Sequence, residues 1–390
     1  MVNQNSNTMA DKRHRYNFPT RIEYGPGAMK DLPAIIKSAG LKKGLIVTDG
    51  GIEKVGTAQL LRDYFKATGL DTATYSGVKS NPTDDNVLEG AEVYKKSNCD
   101  FVVGLGGGSP IDAGKAIKVM ATHPGPLEKY DDMKGGDKYI ENNMPPFYAI
   151  PTTAGTGSEV GRSSVITIKS TNKKTIIFSP FMMPDIAVLD PEITVSLPPK
   201  LTASTGVDAF VHNLEAWVID SYHPLADGIA KEAMAMCVRN LATAVNNGAD
   251  IKARGEMLMA SAMGATAFQK GLGLNHSIAH ALGVYYDMHH GLANALVLPE
   301  IMKYNLAVPS AKQKYAALGS IFNTSQNAEA VIEAIEKWLN SIGMLFKLSD
   351  LGIGNEKFEE IETYALEDPC CPSNPRKVEK GDVISILKKL

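Results

Sequence analysis

The sequence predicts a two-part fold, an α/β half built on a parallel sheet followed by an all-helical half. Three observations carry that reading: short β-branched runs alternate with amphipathic stretches as far as Asp190, those runs then cease, and Ala, Met and Leu at three- and four-residue spacing replace them. A strand feeding a helix that returns to a parallel strand produces the first pattern, and helices packed on helices produce the last.

Taken in order, Met1 to Tyr16 is a polar and basic tail whose composition buries little surface. Residues 17–190 form the α/β unit. Its strands are expected at Gly44–Asp49, Phe101–Leu105, Phe147–Ile150, Val165–Ile168 and Ile186–Leu189, with a further strand before Tyr24-Gly-Pro-Gly27 and helices around Ala58–Ala67 and Val87–Ser97. Residues 191–390 form the helical unit, with helices expected through Ala226–Asn246, Lys252–Phe268 and Ala328–Ser341. Breaks at Asn246-Asn-Gly248, Gly271, Pro299 and Pro309 read as helix ends.

Composition sets the outer bounds. A chain of 390 residues with 44% hydrophobic residues and a net charge of −3 has apolar volume for one large or two ordinary domains. It carries no broad cationic field for a phosphodiester backbone, so nucleic acid is not an expected partner. No apolar run approaches the roughly 18–20 residues that span a bilayer, and the first residues lack a signal-like apolar core, so a cytoplasmic protein is expected without a membrane partner. The four cysteines, Cys99, Cys237 and the adjacent Cys370-Cys371, fit neither a disulfide framework nor a CxxC knuckle and are expected as free thiols.

Two loops carry chemistry in the α/β half. Gly106-Gly-Gly-Ser109 follows a buried strand and leads into a helix with Pro110 at its expected first position. Amides without a Cβ in the way can approach a pyrophosphate, and the helix dipole adds to the attraction. Alone, the cluster is equally compatible with a tight turn that needs positive φ. Pro151-Thr-Thr-Ala-Gly-Thr-Gly-Ser-Glu159 is a second loop after a strand, offering small hydroxyls and free amides. Asp49 ends the first strand where it can accept from an adenosine ribose and repel a 2′-phosphate, or else form the turn before Gly50-Gly51.

In the helical half, His276, His280, His289 and His290 fall within fifteen residues, whereas His14, His123 and His223 stand isolated. His276 and His280 lie one turn apart on one helix face, and Asp208 and His212 repeat that spacing with a carboxylate. Imidazole and carboxylate without thiolate suit Fe(II) or Zn(II). Glu215, farther along the face of Asp208, is placed to support a ligand, and spacing does not choose between His289 and His290. Met234, Met236, Met257, Met259 and Met263 read as core filling.

In combination these residues resemble the iron-containing (group III) alcohol dehydrogenases, from about Phe18 to the end of the chain. The resemblance rests on Gly106-Gly-Gly-Ser-Pro-Ile-Asp112, Pro151 to Glu159, Thr205 to Glu215, Gly271 to His280, His290-Gly-Leu-Ala-Asn-Ala295 and Ser373-Asn-Pro-Arg376. It implies the architecture shared by these enzymes and dehydroquinate synthase, with an α/β dinucleotide-binding domain, an all-α domain and a metal between them. Carried over by position, the ligands are Asp208, His212, His276 and His290, the last because it directly precedes Gly291. His280 stands by the nicotinamide and substrate and relays the proton. Asp49, Asn81, Gly107, Gly108, Ser109, Thr152, Thr153 and Lys174 touch the cofactor. The implied cofactors are Fe(II), with Zn(II) as the alternative, and NAD in preference to NADP; the implied protein is a homodimer or higher homo-oligomer acting on a small alcohol, diol or aldehyde.

One departure stands before Gly271, where Ala267-Phe-Gln-Lys270 is one residue shorter than the Asn-containing version of propanediol and lactaldehyde reductases. Within the same fold, the alternatives are a glycerol-type polyol dehydrogenase, a hydroxyacid–oxoacid transhydrogenase and a dehydroquinate synthase-like lyase. The lyase would use Arg162, Lys173, Lys174 and Lys270 for an acidic substrate. A binding module without turnover is weaker, since a cofactor site with a full ligand set has little use there.

Overall fold

The computed structural model describes residues 20–171 and 173–390; the expected tail, Met1 to Tyr16, lies outside the described residues. The first half runs β1 (Arg21–Tyr24), α1 (Ala28–Ser38), β2 (Lys43–Asp49), α2 (Gly50–Val55), α3 (Thr57–Thr68), β3 (Asp71–Val78), α4 (Asp84–Lys96), β4 (Phe101–Gly106), α5 (Gly108–Thr122) and β5 (Phe147–Pro151). It continues through β6 (Ser163–Ile168), β7 (Lys173–Phe178) and β8 (Ile186–Leu189). Six strands form one parallel sheet in the order β1-β8-β5-β4-β2-β3.

Why this half is doubly wound follows from strand alternation. Leu45 and Val47 of β2 share one core with Val102, Phe147 and the inner faces of α4 and α5. Ile46, between them, turns to the opposite core with Phe101, Val103, Tyr148 and the faces of α1 and α3. Burial on both faces explains why these strands read as continuous apolar runs, each large side chain adding about 1.5–3 kcal/mol. The order reverses between β2 and β4, so their carboxyl ends, Asp49 and Gly106, flank the crevice where open α/β sheets take ligands.

Two expectations for this half need correction. Val165–Ile168 is a strand, but it belongs to β6, which pairs antiparallel with β7 in a separate two-stranded sheet. The polar alternation of β6 and β7, with every second residue buried, suits a ribbon with one covered face rather than a central strand. Pro110 is the third residue of α5, because the helix already begins at Gly108.

Among the described residues no strand follows Leu189. The helices are α6 (Pro199–Val218), α7 (Pro224–Asn246), α8 (Ile251–Ala267), α9 (Leu274–Tyr286), α10 (His290–Asn305), α11 (Pro309–Ala316), α12 (Ala328–Ser341), α13 (Phe358–Glu367) and α14 (Asp382–Leu387). Pro309 opens α11 at a first-turn position. Pro299, expected as a helix end, instead lies inside α10, buried with its neighbours; packing of that apolar segment outweighs the one backbone bond that the ring removes. Met234, Met236 and Met257 fill the helical core, with Met259 and Met263 packed against it. All four cysteines are free. No helix is long and apolar enough to cross a membrane among the described residues.

Candidate metal centre

Helix α6 is buried on nearly every side from Thr202 to Val218, so its polar residues face protein rather than water. Asp208 and His212 project from it one turn apart. His276 comes from the first turn of α9, which begins after Gly271 breaks the preceding helix. His290 is the first residue of α10. A Cβ on the next residue, Gly291, would stand 2.1 Å from the Ser204 carbonyl oxygen, so only glycine lets α10 approach α6 closely enough to bring His290 to Asp208.

These three helices bring one donor atom from each of Asp208, His212, His276 and His290 within 4.8 Å of one another. Tetrahedral ligands at metal distances of about 2.1 Å are about 3.4 Å apart, so small side-chain movements would close the set on a cation. Asp208 Oδ1 is 3.7 Å from His276 Nε2 and 3.4 Å from His290 Nε2. The His212 and His276 rings stack at 4.5 Å. His289, which spacing left as a rival, is exposed at the helix cap.

Glu215 behaves as the supporting carboxylate. Its Oε2 takes the Nδ1 proton of His276 at 2.6 Å, and its Oε1 accepts from the Asn275 amide at 2.8 Å. That bond leaves His276 Nε2 with a lone pair aimed into the cluster. His276 Nε2 and His212 Nδ1 are both buried without a hydrogen-bond partner. An acceptor buried without a donor costs free energy unless something binds it. A donor set of one carboxylate and three imidazoles, with no thiolate, fits a divalent first-row cation.

The electrostatics agree. Burial raises the Asp208 carboxyl, but neighbouring His212, His290 and His276 outweigh it and hold the group below its ordinary range. Burial pushes His212 down to about 4 and His290 well below its ordinary value, so both present neutral nitrogens at neutral pH. His276 moves the other way, because Glu215 more than offsets burial.

His280 shares a helix face with His276 but leaves the ligand set. Its Nδ1 donates to Asp368 Oδ2 at 2.8 Å, while Ser277 Oγ and the Cys370 amide donate to Asp368 Oδ1 at 3.1 and 2.9 Å. Burial opposes ionisation of Asp368, but the His280 bond and charge hold its pKa at about 2. Cys370 completes this second group within 4.8 Å, yet burial pushes its thiol well up, so it stays a thiol. Asp368, Cys370 and Asn294 are functional candidates that sequence reading missed; Asn294 donates to Asp208 Oδ1 at 2.7 Å. The signal for Asp368 was its nearness to Ser373-Asn-Pro-Arg376, but an irregular segment has no periodicity to announce it.

The expected dinucleotide residues gather mainly at the crevice. Gly107 and Gly108 lie against the threonine loop, where an added Cβ would come within 3.3 Å of Thr153 Oγ1 and 2.8 Å of Thr156 Oγ1. Gly106 takes φ 147°, which an L side chain resists, and its carbonyl accepts from the Thr152 amide at 2.9 Å. Ser109 Oγ donates to the Ser80 carbonyl at 2.6 Å, next to exposed Asn81. Asp49 caps α2, accepting from Gly51 and Ile52 through Oδ1 alone, so turn and ligand roles coexist in one side chain. Lys174 stands apart on β7; burial lowers its ammonium pKa, and Asp287 partly offsets that. Of the cations considered for an acidic lyase substrate, Lys270 pairs with Asp227 at 2.5 Å and Arg162 stacks on Phe178.

A parallel sheet with a glycine turn at its switch point, facing a helical half with a converging Asp-His-His-His set, defines a metal-dependent dehydrogenase. The family model for iron-containing alcohol dehydrogenase matches residues 19–191, and that for the Fe-containing alcohol dehydrogenase family C-terminal part matches 202–390. The chain belongs to the iron-containing alcohol dehydrogenase family. It is 37% identical to 1,3-propanediol dehydrogenase of Citrobacter freundii, over 98% of this chain and all of that one. It is 36% identical to NAD-dependent methanol dehydrogenase of Bacillus methanolicus, over 95% and 98%. Among solved structures, a 1,3-propanediol oxidoreductase superposes with TM-score 0.92 at 36% identity, covering 97% of this chain and all of that one. Sulfoacetaldehyde reductase from Bifidobacterium kashiwanohense in complex with NAD+ superposes with TM-score 0.89 at 29% identity, covering 97% and 98%. The protein is an oxidoreductase acting on CH–OH groups, a metal-dependent alcohol dehydrogenase for small alcohols and aldehydes.

Proposed function

We propose that Asp208, His212, His276 and His290 hold one Fe(II), with Zn(II) as the alternative, and that NAD lies along the glycine turn and threonine loop beside it. The substrate is a short primary alcohol or diol and its aldehyde, a reading supported by the 1,3-propanediol and methanol named for the relatives. The observation that carries the proposal is the convergence of one donor atom from each of these four side chains within 4.8 Å, with His276 Nε2 buried, partnerless and 3.7 Å from Asp208 Oδ1. When bound, the metal supplies a Lewis acid for the substrate oxygen and the dinucleotide supplies the hydride acceptor.

The chain's own residues do the positioning. Glu215 fixes the His276 tautomer, and Asn294 fixes the Asp208 carboxylate. Asp368 takes the Nδ1 proton of His280, leaving Nε2 as the nitrogen that exchanges a proton with the substrate hydroxyl. The glycine turn admits pyrophosphate oxygens to backbone amides, with Ser109 and Asn81 at its rim and Thr152 and Thr153 closing over the nicotinamide side. Asp49 keeps Oδ2 for a ribose hydroxyl and disfavours a 2′-phosphate, which selects NAD over NADP. Lys174 reaches the cofactor from the β6–β7 ribbon.

We read residues 17–190 as the dinucleotide-binding domain and 191–390 as the metal-binding domain, since the sheet ends at Leu189 and the helices start at Pro199. The protein is cytoplasmic and a homodimer or higher homo-oligomer, pairing at the edge strand β1, where Tyr24 is exposed. Metal analysis of anaerobically purified protein, run beside NADH consumption with short aldehydes, tests the whole. His280→Ala lowers turnover by about 10²-fold or more with metal retained, whereas Asp208→Ala or His276→Ala loses both. Normal activity in a metal-free variant refutes the scheme.

A further inference from the structure

Beside the Asp-His-His-His set stands a second group of donors, His280 of α9 with Asp368 and Cys370 just beyond α13. One donor atom from each lies within 4.8 Å of the others. The two groups touch but do not mix: the His280 ring stacks on that of His290 at 5.2 Å, while its Nδ1 turns to Asp368. Asp368 is buried, whereas the His280 side chain is 28% exposed and Cys370 is half-buried, so an ion can enter from solvent.

Hydrogens occupy the places where a cation would sit. Ser277 Oγ and the Cys370 amide satisfy Asp368 Oδ1 and leave Oδ2 to the Nδ1 hydrogen of His280 at 2.8 Å. The Cys370 thiol, kept protonated by burial, also hydrogen-bonds this carboxylate. Two exchangeable hydrogens, one N–H and one S–H, thus converge on a single anion. A cation bound to sulfur and nitrogen displaces both, since a coordinated thiol loses its proton outright. Tetrahedral zinc separates its N, O and S ligands by about 3.3–3.8 Å, so the His280–Asp368 contact need widen by only about 0.5 Å. Sulfur also distinguishes this group from the first, which has none: a soft thiolate selects Zn(II) or Cd(II) over Fe(II).

Resting on the dehydrogenase reading above, we propose that His280 Nδ1, Asp368 Oδ2 and Cys370 Sγ form an inhibitory site for a thiophilic divalent cation, zinc above all, separate from the catalytic metal. On binding, a Zn–S bond replaces the S–H bond and the thiol proton leaves to solvent. A Zn–N bond replaces the Nδ1–H bond, and Nε2 takes up a hydrogen, so the ring stays neutral. One proton is released in all, and nothing is oxidised or reduced. A ring metallated at Nδ1 and protonated at Nε2 has no lone pair left for the proton of the substrate hydroxyl. Alcohol oxidation therefore slows while the first metal stays in place.

The test adds Zn(II), and Cd(II) as a spectroscopic probe, to the full chain loaded anaerobically with Fe(II), with NAD+ and 1,3-propanediol for the rate measurements. One further zinc is expected to bind with iron retained, kcat to fall about 10-fold or more, and Cd(II) to give the ultraviolet thiolate-to-metal band. Cys370→Ser weakens zinc binding roughly 100-fold, abolishes the band and loses the inhibition relative to its own zinc-free rate, with iron content unchanged. Cys370→Ala behaves alike, whereas Cys371→Ser, at the neighbouring buried thiol outside the group, keeps both band and inhibition. Zinc that replaces iron one for one, or a band that survives in Cys370→Ser, overturns the proposal while leaving the dehydrogenase reading intact. A Cys370-dependent band in a protein that holds iron but oxidises no alcohol keeps the cation site and overturns the dehydrogenase reading instead.

Discussion

Two groups of buried titratable side chains differ in where their hydrogens and lone pairs go. In the first, fully buried Lys115 of α5 donates to Ser158 Oγ at 2.7 Å and to the Ser163 carbonyl at 2.8 Å, with Asp112 Oδ1 at 3.8 Å. Asp112 in turn accepts from Ser158 Oγ and from the Val165 amide. Donors meet acceptors inside the protein, so this group ties α5 to the threonine loop and to β6. In the second, the Asp-His-His-His set has acceptors in excess, and two ring nitrogens meet nothing. Burial of charge does not by itself mark a binding site; an excess of buried acceptors does.

Glu159 is the instructive exception on the paired side. Its Oε1 is buried without a partner, and burial raises its pKa to about 7. Glu159 is a carboxyl that burial makes readier to keep its proton than an exposed glutamate, whereas His212 and His290 are pushed toward their neutral forms.

The contrast can be broken most forcibly at Lys115. Lys115→Met leaves Asp112 buried without its cation and should cost about 3–5 kcal/mol of stability, with metal per folded subunit unchanged. Denaturant unfolding read beside metal analysis checks this, and loss of metal at unchanged stability would erase the distinction between the two groups.

Glu159 gives the next effect, through pH. The unfolded side chain ionises at its ordinary 4.5 and the native one only at about 7, so the native state binds more protons between them. Stability therefore falls as pH rises from about 4.5 to about 7, by on the order of 3 kcal/mol, and Glu159→Gln flattens that fall. Lys115 works oppositely: its native pKa is lowered to about 8 from 10.5, chiefly by burial, so stability recovers as pH rises through that window. Thermal melts from pH 4 to pH 10 should show the trough near pH 7–8 in the wild type and a shallower one in the variant.

The smallest effect falls on the metal side. Glu215→Gln keeps the shape but weakens the hold on the His276 tautomer, lowering metal affinity about 10–100-fold without unfolding the protein. Competition with a chelator measures it; an unchanged affinity would reduce Glu215 to a packing role.

Much of this was legible in the chain. Continuous apolar runs located Phe101–Leu105 and Ile186–Leu189, since strands buried on both faces have no polar alternation to confuse. Spacing of i, i+4 put Asp208 with His212 and His276 with His280 on shared faces, and Glu215 on the face of Asp208. Less legible were β3 and β7, whose mixed, partly exposed residues lack that signal. The same periodicity that paired His276 with His280 could not say that they part company, one to Asp208 and the other to Asp368.

The sequence by itself determined the alternation of strand and helix, the glycine turn, the helical second half and the types of donor available. Only the tertiary structure placed Val165–Ile168 in a ribbon outside the main sheet, kept Pro299 inside a helix and set His280 against Asp368. The physical reason is that periodicity fixes which face a residue occupies, whereas its partner depends on how closely two elements approach. Here that approach is set by contacts as remote in the chain as Gly291 against Ser204.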